Sequence, residues 1–208
     1  MRNLFLITLV VLSVSAFAQA RLDKPEIYIG ANVGVTESMV QFSPTVSQNF
    51  LQGYNGGLVF RYIAEKNVGM QAELNYSQRG WKESSGLYTR QLNYIELPFM
   101  THIYVGRKAR FFINLGPKIS YLISEKTLLN LTTNSTEVQQ ITPAQHPFDY
   151  GLCGGLGFMF NIKGKVFQVD SRANYSLGDV FSSAKTDYFD NSHNLNLSFN
   201  FAWLFQVK

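Results

Sequence analysis

The sequence predicts an all-β chain, an eight-stranded antiparallel up-and-down transmembrane β-barrel behind an N-terminal signal peptide. Three observations predict it: eight runs of period-2 alternation, a charged fraction of only 15% beside 14% aromatics, and connections that alternate short and long. An ordinary soluble domain carries roughly 25% charged residues. The 208 residues suit a single domain. Mean hydropathy is −0.05, because Asn, Ser, Gln and Thr rather than charges dilute the apolar residues. No stretch reaches the ~20 apolar residues of a membrane helix, and the aromatic content excludes a disordered chain. Cys153 is the one cysteine, which excludes an internal disulfide and a cysteine-built zinc site.

The chain begins with a basic Arg2, an apolar stretch from Leu4 to Val14, and Ala16-Phe17-Ala18, a small-x-small cleavage pattern. This is a secretory signal peptide over residues 1–18, with a second cleavage register after Ala20. The stretch is too short to span a membrane, and no cysteine follows that could carry a lipid. The barrel is expected over 26–208, in an exported protein.

Each strand follows from alternation, since successive side chains in a strand face opposite ways. The first run sets Ile27, Ile29, Ala31, Val33 and Val35 against Tyr28, Gly30, Asn32 and Gly34. The second sets Tyr54, Leu58, Phe60 and Tyr62 against Asn55, Val59 and Arg61. The third sets Val68, Met70, Leu74 and Tyr76 against Gly69, Gln71, Glu73 and Asn75. In the fourth, Ile95, Leu97, Phe99 and Ile103 oppose Tyr94, Glu96, Met100 and His102. In the fifth, Phe111, Ile113, Leu115, Ile119 and Tyr121 oppose Asn114, Gly116, Lys118 and Ser120. The sixth sets Phe148, Tyr150, Leu152 and Phe158 against Asp149, Gly151 and Cys153. The seventh sets Phe167, Val169 and Tyr175 against Gln168, Asp170 and Arg172. The last runs from Leu195 to Val207, with Phe199, Phe201, Trp203 and Phe205 on one face. Pro98 and Pro117 each remove a ladder donor, so a bulge or an early ladder end is expected near each.

The connections at 65–67, 106–108 and 163–165 are tight, charged turns, whereas 36–52, 83–90, 125–146 and 178–190 are longer and polar. An even strand count with short turns on one side and long loops on the other describes an outer-membrane barrel. The same strands could form a soluble carrier with the apolar face inward, but a soluble barrel needs a charged exterior. The polar faces carry only about one charge per strand, four positive (Arg61, Arg79, Lys118, Arg172) and four negative (Glu73, Glu96, Asp149, Asp170). That balanced set suits a narrow lumen where an unpaired buried charge is expensive. The apolar face then meets lipid, with Tyr54, Tyr62, Tyr76, Tyr104, Tyr121, Tyr150, Tyr175 and Trp203 as candidate interfacial aromatics. Inward glycines leave room for larger neighbours. Lys66, Arg107, Lys108, Lys163 and Lys165 suit anionic lipid head groups, so the pI of 9.1 does not call for nucleic acid.

Val68–Lys82 (VGMQAELNYSQRGWK), Leu92–Phe99 (LNYIELPF) and Phe111–Leu122 (FFINLGPKISYL) resemble the PorT-type outer-membrane β-barrel family. The resemblance spans about Ile27 to Val207, and YIELP and GPKISY are its most specific parts. It implies an integral outer-membrane barrel of a Gram-negative bacterium and says little about activity. The founding member is associated with protein secretion, an analogy of fold alone for this chain. The chain ends in Lys208 rather than an aromatic residue, with Phe205 close by.

No phosphate loop, paired metal motif or calcium loop appears, and no cofactor or metal is expected. His102 falls inward beside Glu96 and Met100, where acid–base work is one reading and membership of a polar network the ordinary one. His146 and His193 fall in or beside the outer loops. Ser182, Ser183, Asp187 and His193 compose a triad only on paper, since geometry defines one. The expected function is a non-enzymatic outer-membrane barrel with a polar, largely closed lumen. It would act through its extracellular loops, above all 125–146, or as an accessory of a membrane assembly, with membrane lipid and a protein at those loops as partners. A small-solute channel and a lipid-modifying barrel enzyme are the alternatives.

Overall fold

A computed structural model describes residues 21–132, 136–163, 165–183 and 188–207, the side chains of 21–24 apart. The signal-peptide residues, Asp187 and Lys208 lie outside the described residues. Nine strands form: β1 (Arg21–Ser43), β2 (Gln48–Asn49), β3 (Leu51–Glu65), β4 (Val68–Glu83), β5 (Tyr88–Gly106), β6 (Ala109–Asn130), β7 (Phe148–Ile162), β8 (Lys165–Asp179) and β9 (Asn191–Gln206). Helix α1 is one turn, Val138–Ile141. All the long strands pair antiparallel with their neighbours in sequence, and β1 pairs with both β3 and β9. The ring therefore closes on eight strands. The two-residue β2 only adds to the end of β4, through Gln48↔Glu83 and Asn49↔Lys82.

Alternation places the apolar face outward. Ile29, Val33, Leu58, Phe60, Leu74, Leu97, Phe99, Leu115, Phe158, Phe199 and Phe201 are all exposed, while Asn32, Arg61, Glu73, Lys118, Asp170 and Asn200 are buried. Lipid supplies no hydrogen bonds to an open sheet edge, so only a closed ring satisfies such strands.

The chain reverses tightly on the side that holds both ends of the barrel. Glu65↔Val68 brackets Lys66-Asn67, and Asn67 takes the left-handed φ of 73° that asparagine tolerates better than most residues. Its amide donates to the Tyr104 carbonyl at 2.7 Å. Lys66, Arg107, Lys108, Lys163 and Lys165 thus sit at the rim formed by the tight turns.

The opposite side departs from expectation. Residues 36–43, 83, 88–90 and 125–130, expected in loops, are strand, and only residues 84–87 separate β4 from β5. Crossing the bilayer takes about 9–11 residues, and the strands here have 15 to 23, so the barrel wall stands above the membrane. The inward face changes character there: Val40, Phe42, Trp81 and Tyr88 are buried, and this second apolar core keeps the strands paired beyond the bilayer.

Neither proline produces a bulge. Between Pro98↔Lys118 and Thr101↔Leu115 the register is unchanged and only the intervening rungs are missing. The register shifts of this ladder lie higher, between Thr89 and Arg90 and between Asn93 and Tyr94. At Gly34 the missing side chain leaves room for those of Asn200 and Asn55, but other inward glycines have a second reason. A Cβ on Gly116 would meet the backbone of Phe99 and Met100 on the adjoining strand, because a sheet closed on eight strands curves sharply. Gly116→Val is therefore expected to cost at least the ~1–3 kcal/mol of an overpacked core, read as a lower urea midpoint and loss of the heat-shifted gel band. Gly154→Ala, whose Cβ would meet the flexible Leu115 Cδ1 at 3.3 Å and the Asn114 carbonyl oxygen at an ordinary 3.9 Å, should leave both unchanged.

Candidate functional site

The candidate site is the interior of the ring and the rim above it. Struts cross the lumen between strands on opposite sides. Arg172 of β8 grips Glu73 of β4 with both terminal nitrogens, at 2.8 and 2.9 Å, and reaches Asp170 at 3.4 Å. Such a bidentate fork fixes geometry as well as charge. Glu73 also accepts from Asn32 at 3.1 Å, Gln71 at 2.6 Å and Asn75 at 2.8 Å. Asp170 accepts from Gln168 at 2.9 Å and Asn200 at 3.0 Å. A second group lies nearer the outside. Arg79 pairs with Glu96 and with Asp149, the latter at 3.0 Å, donates to Ser120 at 3.1 Å, and lies 4.7 Å over the Tyr94 ring. Ser176 donates to Asp149 at 2.7 Å.

All eight charged residues singled out in the sequence are buried, but they do not pair one to one. Arg79 and Arg172 take all four carboxylates. Arg61 instead donates to the side-chain carbonyls of Gln71 and Gln168 and lies 3.2 Å from the Met159 sulfur. Lys118, 1% exposed, has no hydrogen-bond partner among the described residues. Equal numbers of opposite charges said nothing about which residues the ring would bring within reach.

Two apolar layers close this polar zone. Towards the tight turns lie Tyr28, Ile63, Tyr104, Phe112, Met159 and Leu204. Towards the outside, Phe42, Trp81, Tyr88, Leu92, Phe181 and Phe189 pack together, with Phe42 edge-on to Trp81 at 5.4 Å and 4.9 Å from Phe189. Arg90 covers Trp81 at 5.5 Å. Alpha-helical turn α1 is tied down over this layer: Gln139 and Gln140 donate to Glu83 at 3.1 and 2.8 Å, and Tyr88 Oη donates to the Gln140 carbonyl at 3.2 Å.

Of the candidate interfacial aromatics, Tyr54, Tyr76, Tyr121, Tyr150, Tyr175 and Trp203 are exposed on the outer face and Tyr62 is half-buried there. Tyr104 is a correction. It is 7% exposed and faces inward, because it shares the parity of His102 and Met100. Its ring lies under Arg110 at 4.7 Å.

His102 is fully buried and bonds Asn114 through Nδ1 at 2.7 Å, between the rings of Tyr104 and Phe112 at 5.5 and 5.2 Å. It stands below the polar zone and away from Glu96. His146 is exposed, and its backbone N–H donates to the Val180 carbonyl at 3.2 Å. His193 lies 3.7 Å from Asp179 and 3.3 Å from the Gly178 carbonyl. Ser183 donates to Asp179 at 3.1 Å, and the Ser182 N–H to Gln145 at 2.6 Å. Cys153 is buried, with its thiol 3.3 Å from the Gly116 carbonyl. No group of three or more metal-ligating side chains occurs among the described residues.

A family model described as "outer membrane protein beta-barrel domain" matches residues 17–182. The chain belongs to this outer-membrane β-barrel family. It is a protein of the Gram-negative outer membrane. OprG of Pseudomonas aeruginosa is 12% identical, with 89% of this chain and 97% of OprG covered and a TM-score of 0.50, a likeness of fold. Neisserial surface protein A is 12% identical over 86% of this chain and 98% of its own, at 0.48. Ail of Yersinia pestis is 14% identical over 86% and 99%, at 0.44. No curated protein matches the chain.

Removing one partner of a buried pair strands the other, at a cost of about 3–5 kcal/mol. Arg172→Ala should therefore lower the unfolding free energy in urea by about that much. Lys118→Met, which removes a charge without a hydrogen-bond partner, should change it by less than about 1 kcal/mol or raise it.

Proposed function

We propose that this protein is a non-enzymatic outer-membrane barrel with a closed interior that works through its extracellular rim, as an accessory of a larger membrane assembly. One observation carries the reading: a lumen crossed by Arg172–Glu73 and Arg79–Asp149 lies between two apolar layers. Eight strands leave an interior just wide enough for side chains to fill, and water-filled passage would require both layers to part. What remains for recognition is the wall above the bilayer, with α1 and the segments around it. The PorT-type resemblance of YIELP and GPKISY supports an accessory role, with secretion as the candidate process. Export would follow removal of residues 1–18, or of 1–20. The seven outward aromatics would anchor the barrel at the lipid interfaces, and the basic periplasmic turns would meet anionic head groups.

Purified, refolded protein in planar bilayers should show no steady conductance. A current that changes with Arg61→Ala or Glu73→Ala would instead make it a small-solute channel. Deleting Asn130–Gln140 should leave the heat-shifted barrel band intact while weakening co-purification of any partner. Loss of the band would mean that the segment belongs to the barrel's own stability. An esterase or acyltransferase activity lost on His102→Ala or His193→Ala would contradict the non-enzymatic reading.

A further inference from the structure

A cavity of about 420 Å³ opens on the extracellular rim, between the 44–47 connection, the turn after β4, α1 and Tyr188. Its volume lies within the range of small-molecule sites, roughly 300–1,000 Å³. Two carboxylates, Glu83 and Glu137, stand in its wall without a lysine, arginine or histidine among the described lining residues. Glu83 is 9% exposed and forms no ion pair among the described residues. Its two oxygens are held in place by Gln139 and Gln140, and each keeps a lone pair for a further donor. Gln139, 3% exposed, donates its amide to Glu83 at 3.1 Å and to Glu137 at 3.5 Å. Gln140 is fixed in turn by Thr132 Oγ1 at 2.9 Å. The part of the wall formed by Glu83, Glu137, Gln139 and Gln140 is thus held in place, rich in acceptors and negative.

The lining also carries apolar side chains, Val46, Leu87 and the Tyr188 ring among them. Tyr188 is 56% exposed and is braced edge-on against Phe189 at 5.0 Å, so its free ring face can stack on a ligand. Leu87 is exposed in the same lining. An anion would be repelled by Glu83. A purely apolar ligand would close the Glu83 carboxylate off from water with no counter-charge, which is costly. A ligand that carries both hydrogen-bond donors and a C–H face satisfies this mixed lining, and a positive charge would complete Glu83. We propose that this cavity binds an amino sugar, as an oligosaccharide with free ammonium groups. The proposal rests on the reading that the extracellular rim is the working surface, and it names what that surface recognises.

The test is calorimetric titration of the whole refolded protein with a glucosamine hexamer, maltohexaose, a galacturonic acid hexamer and tetralysine. The glucosamine hexamer should bind saturably, more tightly than maltohexaose, and the acidic hexamer should not bind. Glu83→Gln should weaken the glucosamine hexamer about tenfold or more, as expected for a lost charge-assisted hydrogen bond. Tyr188→Ala, at an exposed ring, should weaken both neutral and amino sugars while leaving the heat-shifted band in place. The proposal is overturned if the glucosamine hexamer does not bind, if Glu83→Gln and Tyr188→Ala bind it as well as the parent, or if tetralysine binds equally and loses nothing in Tyr188→Ala. That outcome would leave the closed-lumen reading intact, because conductance tests it separately.

Discussion

Every other feature depends on closure of the ring through β1 and β9. Sixteen ladder pairs, from Tyr28↔Gln206 to Ser43↔Asn191, join the first strand to the last. Without them, two sheet edges would face hydrocarbon with no partner for their backbone groups. Closing on only eight strands then sets the interior. Side chains of opposite strands come within reach of one another, so Arg172 can hold Glu73 directly across the lumen. The curvature that permits this also brings backbones together, and it leaves Gly116 no space for a Cβ.

The interior is layered by the surroundings of the wall. At membrane depth the outer face is apolar and the inner face polar. Above the bilayer the same parity continues with inverted chemistry: Phe42 and Trp81 point in, while Gln41 and Lys82 are exposed. There the wall is a water-soluble barrel with its own core. One chain therefore joins two solvents, and the extracellular apolar layer seals the polar zone below it.

Much of this was legible in the sequence, because a period of 2 is a property of consecutive residues. The eight strands, the outward placement of Phe199, Phe201 and Trp203, and the tight turn at Lys66-Asn67 follow from local pattern. The upper wall was missed because polar composition at 36–52 and 83–90 looked like loop. The signal that could have found it was continued parity, from Thr36 and Ser38 to Val40 and Phe42. Tyr104 shows the same lesson, since composition placed it at an interface and parity turns it inward. Ion-pair partners were not legible. Glu73 and Arg172 are 99 residues apart, and only the closed ring makes them neighbours while leaving Lys118 without a hydrogen-bond partner among the described residues. The rim cavity was illegible for the same reason, as it assembles Glu83, Gln139 and Tyr188 from three connections.

The two tryptophans allow the most direct test of which face meets lipid. Trp203 projects outward at membrane depth and Trp81 is sealed in the extracellular core. Single-tryptophan proteins, Trp81→Phe and Trp203→Phe, would be refolded into bilayers whose acyl chains carry bromine, a contact quencher. The inside-polar, outside-apolar barrel predicts strong quenching of Trp203 and almost none of Trp81. Unquenched Trp203 emission in a folded protein would contradict it, and would mean that the apolar face is turned inward.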